Sequence, residues 1–397
     1  MGRMRTVEQH ARVIADLLRP TPVEPTDLAA ALGLVLAEDL RAPLDLPPFA
    51  NSAMDGYAVG AADLSSFPVT LTVSQDIPAG RTDVAPLTPG TAARIMTGAP
   101  LPPGADVIVQ VERTDGGAEQ VRIDSAPPPG THIRTVGEDV RRGDVVLPAG
   151  TVIGAPQIGV AAALGYAQLP LRRPLRALVL STGTELVAPG NPLRPGQIYE
   201  SNAPMLAGAL AAVGAEPTVE HFVADDVGAL RAGLDRACVG QDLIITSGGV
   251  SAGAYEVVKD ALTGRGIEFA KVAMQPGMPQ GAGRYRDVPM VTLPGNPVSS
   301  YVSFEVFLRP AIRAAMGHPD ITRPTVRAPL SAPLDSPAGK RQFRRGLLDT
   351  VDGTVAAWGG PGSHLLAWLA GADCMIVVPE DVTHLDAGDD VEVWLLG

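Results

Sequence analysis

The period of the apolar positions changes along this chain, and the changes divide it. From Val7 to Leu18 the residues Val7, Ala11, Ile14, Ala15 and Leu18 recur at helical spacing, until Pro20 and Pro22 end the run. A second helix is predicted from about Asp27 to Leu36, with Thr26 as its N-cap. Between Asn51 and Asp139 the pattern becomes that of strands: VTLTV, AARIM and DVIVQVE are short runs separated by the turns PAG, TPG and LPPG. The segment DVVLPAGTVI from Asp144 predicts a hairpin, and Pro156 to Leu164 a short helix. From about Arg176, the buried-strand runs ALVLST, EPTVEHFVA, DLIITSGG and PMVTLPG alternate with helical stretches over Ala203 to Val213, Val227 to Ala237 and Tyr255 to Leu262. That alternation predicts βαβ units and a parallel sheet. After Met316 no helix is expected, and TVRAPL, QFRRGLL, TVAAW, CMIVVP and DVEVWLL read as a small terminal β-unit.

Composition narrows the chemistry. A chain of 397 residues, 46% of them hydrophobic, can bury several cores and is not disordered along its length. Its 43 acidic and 31 basic residues leave a formal charge of −12, which repels a phosphate backbone or an anionic lipid surface. Neither a nucleic acid nor a membrane is therefore expected as a partner. No stretch reaches the roughly 18 apolar residues of a membrane span, and the first residues lack a signal-type apolar run, so a cytoplasmic location is expected. Cys238 and Cys374 are too few and too far apart for a disulfide framework or a cysteine zinc site. The histidines lack metal-ligand spacing and there is no G-x-S-x-G elbow, which removes zinc chemistry and nucleophilic hydrolysis.

In open parallel sheets ligands bind beyond the carboxyl ends of the strands, which directs attention to three loops. Ser181-Thr182-Gly183-Thr184-Glu185 follows the first strand, and its carboxylate is either a cation ligand or a solvated acid. Thr246-Ser247-Gly248-Gly249-Val250-Ser251 exposes consecutive amides before a helix, suited to phosphate or to a plain tight turn, and matches neither the Walker nor the G-x-G-x-x-G pattern. Glu256, just beyond, could join Glu185 on Mg²⁺. Leu293-Pro294-Gly295-Asn296-Pro297-Val298-Ser299 is a rigid turn that opens a helix at Pro297. Three polar, glycine-bearing loops at successive strand ends argue jointly for one site. Elsewhere, Asp55-Gly56 and Thr97-Gly98 read as turns, and Lys340, Arg341, Arg344 and Arg345 form the densest basic cluster, either a solvated face or an anion site.

In this order SAMDGYA (52–58), RIMTGAPLPPGADVIVQVE (94–112), GEDV (137–140), STGTEL (181–186), SGGVSAGAYEVVK (247–259) and LPGNPVS (293–299) resemble the molybdopterin molybdenumtransferase family, MoeA and the gephyrin E domain. The resemblance implies an elongated multidomain chain that combines α/β and all-β parts. Its expected parts are a discontinuous dimerisation domain (1–49 and 138–173), a β-rich insertion (50–137), a three-layer α/β/α molybdopterin-binding domain (174–318) and a C-terminal β-barrel-like domain (319–397). It further implies a homodimer that inserts molybdate into adenylylated molybdopterin with release of AMP, aided by Mg²⁺. Transient partners would be the protein that adenylylates molybdopterin, and molybdoenzymes or their chaperones.

By the same resemblance Asp55, Thr97, Glu185, Asp225, Glu256 and Lys271 are catalytic positions, with Glu185, Asp225 and Glu256 holding the cation. Arg134, Asp139, Ser247, Gly248, Gly249, Val250, Pro294, Gly295, Asn296, Pro297, Ser299, Arg345 and Ser363 would bind substrate, and the pocket would be shared, with Asp55 and Thr97 of one chain facing the α/β domain of the other. Two departures stand out. A Lys-Pro-Gly-Lys-Pro segment frequent in the family is here Gln275-Pro276-Gly277-Met278-Pro279, and a frequent Asp is here Glu256. The lost lysines leave open a non-catalytic pterin-binding or scaffold paralogue of the same fold.

Overall fold

The computed structural model describes residues 4–183, 185–222, 227–248, 261–262 and 264–396. The chain forms two compact units. One comprises Met1–Ala37, Gly150–Ile153 and Leu169–Gly397; the other comprises Glu38–Ala149 and Gly154–Gln168.

The smaller unit is built on a five-stranded sheet in the order Val107–Gln110, Gly56–Val59, Thr91–Ile95, Val69–Ile77, Gln120–Ile123. Strand alternation gives it two apolar faces: Tyr57 and Val59 join one buried cluster, Ala58 and Ile95 the other. Gly56 is needed here for close approach, because a Cβ on it would lie 2.0 Å from the Val109 carbonyl oxygen. The helix Ala155–Ala163 also belongs to this unit.

In the larger unit a six-stranded sheet runs Glu216–Phe222, Arg176–Thr182, Leu243–Ser247, Val288–Leu293, Pro279–Tyr285, Ile267–Lys271. The first four strands are parallel, as expected, but the last two are antiparallel additions. The sequence signal missed Pro279–Tyr285 because close packing demands glycine there. A Cβ on Gly281 would meet Thr292 Oγ1 at 2.0 Å, and one on Gly283 would meet the Gly266 carbonyl at 1.8 Å. Successive residues of each central strand face opposite layers. Ala177, Val179, Ile245 and Val291 pack with Leu206 and Leu210 of the helix Asn202–Ala212, whereas Leu178, Leu180, Ile244 and Met290 pack with Leu230 and Leu234 of the helix Val227–Ala237. The result is a three-layer α/β/α arrangement. The opening helix Val7–Leu17, capped by Thr6, adds Val7 and Ile14 to the first of these cores.

A second six-stranded sheet closes the chain, with Met274–Gln275, Arg341–Asp349, Cys374–Val378, Asp390–Leu395 and Thr325–Pro329 in that order and Thr354–Ala357 paired to Arg341–Asp349. Its first strand comes from far upstream: Met274 and Gln275 pair in parallel with Arg341 and Gln342. Cys238 and Cys374 are both buried and free. No helix of the described residues is long and apolar enough to cross a membrane.

Three local expectations are corrected. The predicted helix from Asp27 to Leu36 is instead a strand Val23–Asp27, a 3₁₀ turn Leu28–Ala30 and a strand Val35–Leu36, with Gly33 left-handed at φ 80°. Both strands flank Gln168–Arg172, and that ladder outweighs local helix propensity and places Thr26 inside a strand rather than at a cap. The arms of DVVLPAGTVI do not pair with each other: Val145–Leu147 pairs with Leu40–Arg41, and Val152 bridges Val35. Alternation marks a strand but cannot name its partner. A helix does follow Met316, at Leu366–Ala370, too short to leave a periodic signal. The helix expected from Tyr255 lies outside the described residues except for Ala261 and Leu262, which are helical.

Candidate active site

Arg176–Thr182, Leu243–Ser247 and Val288–Leu293 are neighbours in the sheet and parallel, so the loops after them emerge side by side. A cavity of about 700 Å³ opens beside them. Its walls are Glu185 and Ile198, the 275–279 segment with Met274, the loop residues Pro294, Gly295, Asn296 and Ser299, Lys340, and Pro361, Gly362 and Ser363 of the terminal β-unit. Segments nearly 180 residues apart in the chain thus converge on one concavity, as a substrate site requires.

Hydrogen bonds between these segments hold the walls. Gly248, left-handed at φ 97°, donates its amide to the Leu293 carbonyl at 3.0 Å. A Cβ on Gly295 would stand 3.4 Å from the Gly248 Cα, so the second and third loops touch through their glycines. Asn202, almost fully buried, donates to the Gly295 carbonyl at 2.7 Å. Asn296 donates to Ser363 Oγ at 2.8 Å, and the Val298 amide donates to the Ser363 carbonyl at 3.1 Å. Pro297 starts the helix Pro297–Ser303, whose first turn buries Ser299. Ser247 ends its strand and is buried.

Charge in the cavity is sparse. The Glu185 side chain is exposed and has no hydrogen-bond or ion-pair partner among the described residues. Its carboxylate folds over Gly183, filling the space a Cβ would take, since Oε2 lies 2.6 Å from that position. Lys340 is the cation of the lining. Arg345 is buried and donates to the carbonyls of Gly362, at 3.2 Å, and Gly360, so it braces the loop that carries Ser363. Burial, and then the neighbouring Arg344 charge, pull its pKa below the ordinary guanidinium value. Lys271 ends the strand Ile267–Lys271, is exposed, and does not line the cavity.

A second group of the expected site residues lies in the smaller unit. Asp55 Oδ1 accepts from the Thr97 amide at 2.7 Å and the Thr97 hydroxyl at 2.8 Å. These two bonds hold its carboxyl below the usual carboxylate range. Backbone bonds from Gly98 to Ser52 and from Ser52 to Ala99 knit the two turns together. Arg134 sits on the adjoining pair Ile133–Arg134 with Asn51–Ser52, exposed, and the Asp139 amide donates to the Leu46 carbonyl. Asp225, Gly249, Val250 and Glu256 lie outside the described residues. Among the described residues, no cluster of three or more His, Cys, Asp or Glu could hold a metal ion.

Sequence reading did not single out Ile198 or Asn202. Asn202 carries a legible signal, an amide beside Ser201 at a helix start, but it reads as a cap rather than a brace for the Pro294 loop. Lys340 was visible only as one of a basic cluster.

Comparisons with known proteins bear on this geometry. Residues 5–165 match the MoeA N-terminal region (domain I and II), 178–314 a probable molybdopterin binding domain, and 327–396 the MoeA C-terminal region (domain IV). The chain is 55% identical to molybdopterin molybdenumtransferase 2 of Mycobacterium tuberculosis (strain CDC 1551 / Oshkosh), over 98% of the chain and 99% of the relative. It is 37% identical to molybdopterin molybdenumtransferase 1 of the same strain, over 99% of each. Among solved structures it is similar to a molybdopterin biosynthesis moea protein from Pyrococcus horikosii, with a TM-score of 0.84 and 30% identity over 99% of both chains.

Proposed function

The chain belongs to the molybdopterin molybdenumtransferase family, enzymes of molybdenum cofactor biosynthesis, and from that premise we propose that its cavity joins molybdate to adenylylated molybdopterin and releases AMP. The observation that carries this reading is the convergence of two strand-end loops, the 275–279 segment and the Ser363 loop on one space, with an uncommitted carboxylate and an uncommitted ammonium in its walls.

Glu185 suits one end of the chemistry. A hard, exposed carboxylate without a partner among the described residues fits Mg²⁺, and Asp225 and Glu256 would complete the ligand set. When bound, the cation would offset charge on the departing phosphate. The Gly248 amide is taken by the Leu293 carbonyl, so the loop that starts at Ser247 and Gly248 would present amides to the pterin phosphate from Gly249 and Val250. Pro294, Gly295 and Pro297 shape the third loop, while Asn296, Ser299 and Ser363 offer neutral donors to an oxyanion. Arg345 acts through the loop it braces and is a positioning residue. Lys271 would assist from outside the cavity wall.

The molecule would work as a homodimer of four-part subunits in the cytoplasm. Asp55 and Thr97 of one copy, flanked by Arg134 and Asp139, would complete the site of the other. The adenylylating protein and molybdoenzymes or their chaperones would be transient partners. The test is AMP release from adenylylated molybdopterin with Mg²⁺ and molybdate. Formation of molybdenum cofactor with stoichiometric AMP is expected, and pterin binding without either product would refute the catalytic reading.

A further inference from the structure

The basic cluster that opens the terminal β-unit divides into committed and uncommitted cations. Arg341 pairs with Glu8 at 2.5 Å and with Glu380 at 2.9 Å. Arg344 donates to the Gly359 carbonyl at 3.1 Å, and Arg345 to the carbonyls of Gly360 and Gly362. Lys340 alone of the four lines the cavity, and among the described residues it has no carboxylate or hydrogen-bond partner.

Its position is fixed by backbone rather than by side-chain contacts. The Arg341 amide donates to the Ala273 carbonyl at 2.9 Å, and Met274 and Gln275 pair with Arg341 and Gln342. Lys340 is therefore held immediately before the strand Arg341–Asp349, which pairs with the start of the 275–279 segment. That segment is neutral: Gln275 accepts from Gln342 Nε2 at 3.2 Å, which leaves the Gln275 amide nitrogen as a donor, and Met278 offers none. A small tetrahedral dianion leaves water only for convergent donors that include a cation, because burying unpaired charge is costly.

We propose that Lys340 is the cation that captures the oxyanion in this cavity, acting with Ser299, Ser363 and the Gln275 amide, so that oxyanion affinity is supplied by the terminal β-unit rather than by the 275–279 segment. This rests on the reading of the cavity as a molybdenumtransferase site. Loss of one charge-assisted hydrogen bond corresponds to a roughly tenfold to hundredfold change in affinity. A charge placed on the neighbouring 275–279 segment should compensate.

Steady-state AMP release at varied molybdate tests it with wild type, Lys340→Gln, Lys340→Arg and the double variant Lys340→Gln with Met278→Lys. We expect Lys340→Gln to raise the KM for molybdate about tenfold to a hundredfold while the KM for adenylylated molybdopterin stays within about twofold. Lys340→Arg should keep most of the affinity, and Met278→Lys should recover it. A molybdate KM unchanged in Lys340→Gln, in an active enzyme, overturns the assignment of Lys340 alone. A folded wild type that binds pterin and releases no AMP overturns the reading beneath it as well.

Discussion

The Asp55 corner of the smaller unit and the cavity of the larger one are both made from turns that follow strands, yet they treat charge in opposite ways. Asp55 is satisfied within its own neighbourhood, by an amide and a hydroxyl from Thr97 on a turn that backbone bonds tie to Ser52. Glu185 and Lys340 are held in place by backbone and left without partners among the described residues. A carboxylate already accepting two hydrogen bonds is kept ionised and oriented. An unpaired carboxylate and ammonium in one cavity are kept available for ligands. The corner is prearranged, whereas the cavity keeps these two charges without partners among the described residues.

The largest expected effect comes from removing the cavity's charge. Glu185→Gln should lower kcat for AMP release about 10²- to 10³-fold, with a melting temperature close to wild type because the side chain is exposed. Coexpressing Glu185→Gln with Asp55→Asn should restore about a quarter of wild-type activity, since random pairing gives each mixed dimer one intact site. If the corner served its own chain's cavity, the mixture would stay inactive.

A structural break comes next. Gly56→Ala forces a Cβ against the Val109 carbonyl and should destabilise the smaller unit by about 3 kcal/mol, read as a lower-temperature transition in calorimetry. A single unshifted transition would refute the close-approach argument.

Arg345→Lys should be milder. It keeps the charge but loses the planar fork that reaches both loop carbonyls, so kcat/KM should fall about three- to tenfold, with most of the loss in the KM for molybdate. An equal loss toward both substrates would point to general unfolding of the loop.

The smallest effect concerns Thr97→Val, which removes the hydroxyl bond and retains the amide bond. The Asp55 pKa should rise toward the ordinary carboxylate value, measured by carboxyl-carbon NMR titration. The sign follows from linkage. A depressed folded pKa contributes stability that is present above the unfolded value and is lost as pH falls through the folded one. In the variant the loss still begins at the unfolded value, but it is smaller and is complete at a higher pH.

Much of the site was legible because strand ends advertise themselves. Gly248 needs a left-handed backbone, Pro297 opens a helix, and the apolar runs before them are unambiguous, so the second and third loops could be found from local chemistry. The same local logic failed where packing decided. Gly281 and Gly283 form a strand without β-branched residues, and Asp27 to Leu36 became two strands because Gln168–Arg172 lies between them.

The roles within the basic cluster show the boundary most clearly. Four cations in a short stretch look alike in sequence, and Arg345 is the natural choice for an anion. The fold spends the arginines on Glu8, Glu380 and the carbonyls of Gly359, Gly360 and Gly362, and leaves Lys340 facing the cavity.

By itself, then, the amino-acid order determined the family, the α/β and β parts, and the loops at the strand ends, because periodicity, glycine and proline act over a few residues. Which side chains share a cavity was decided only by tertiary structure. Lys340 stands beside the 275–279 segment because a two-residue parallel ladder joins positions 274 and 341, and no local preference encodes a pairing at that separation.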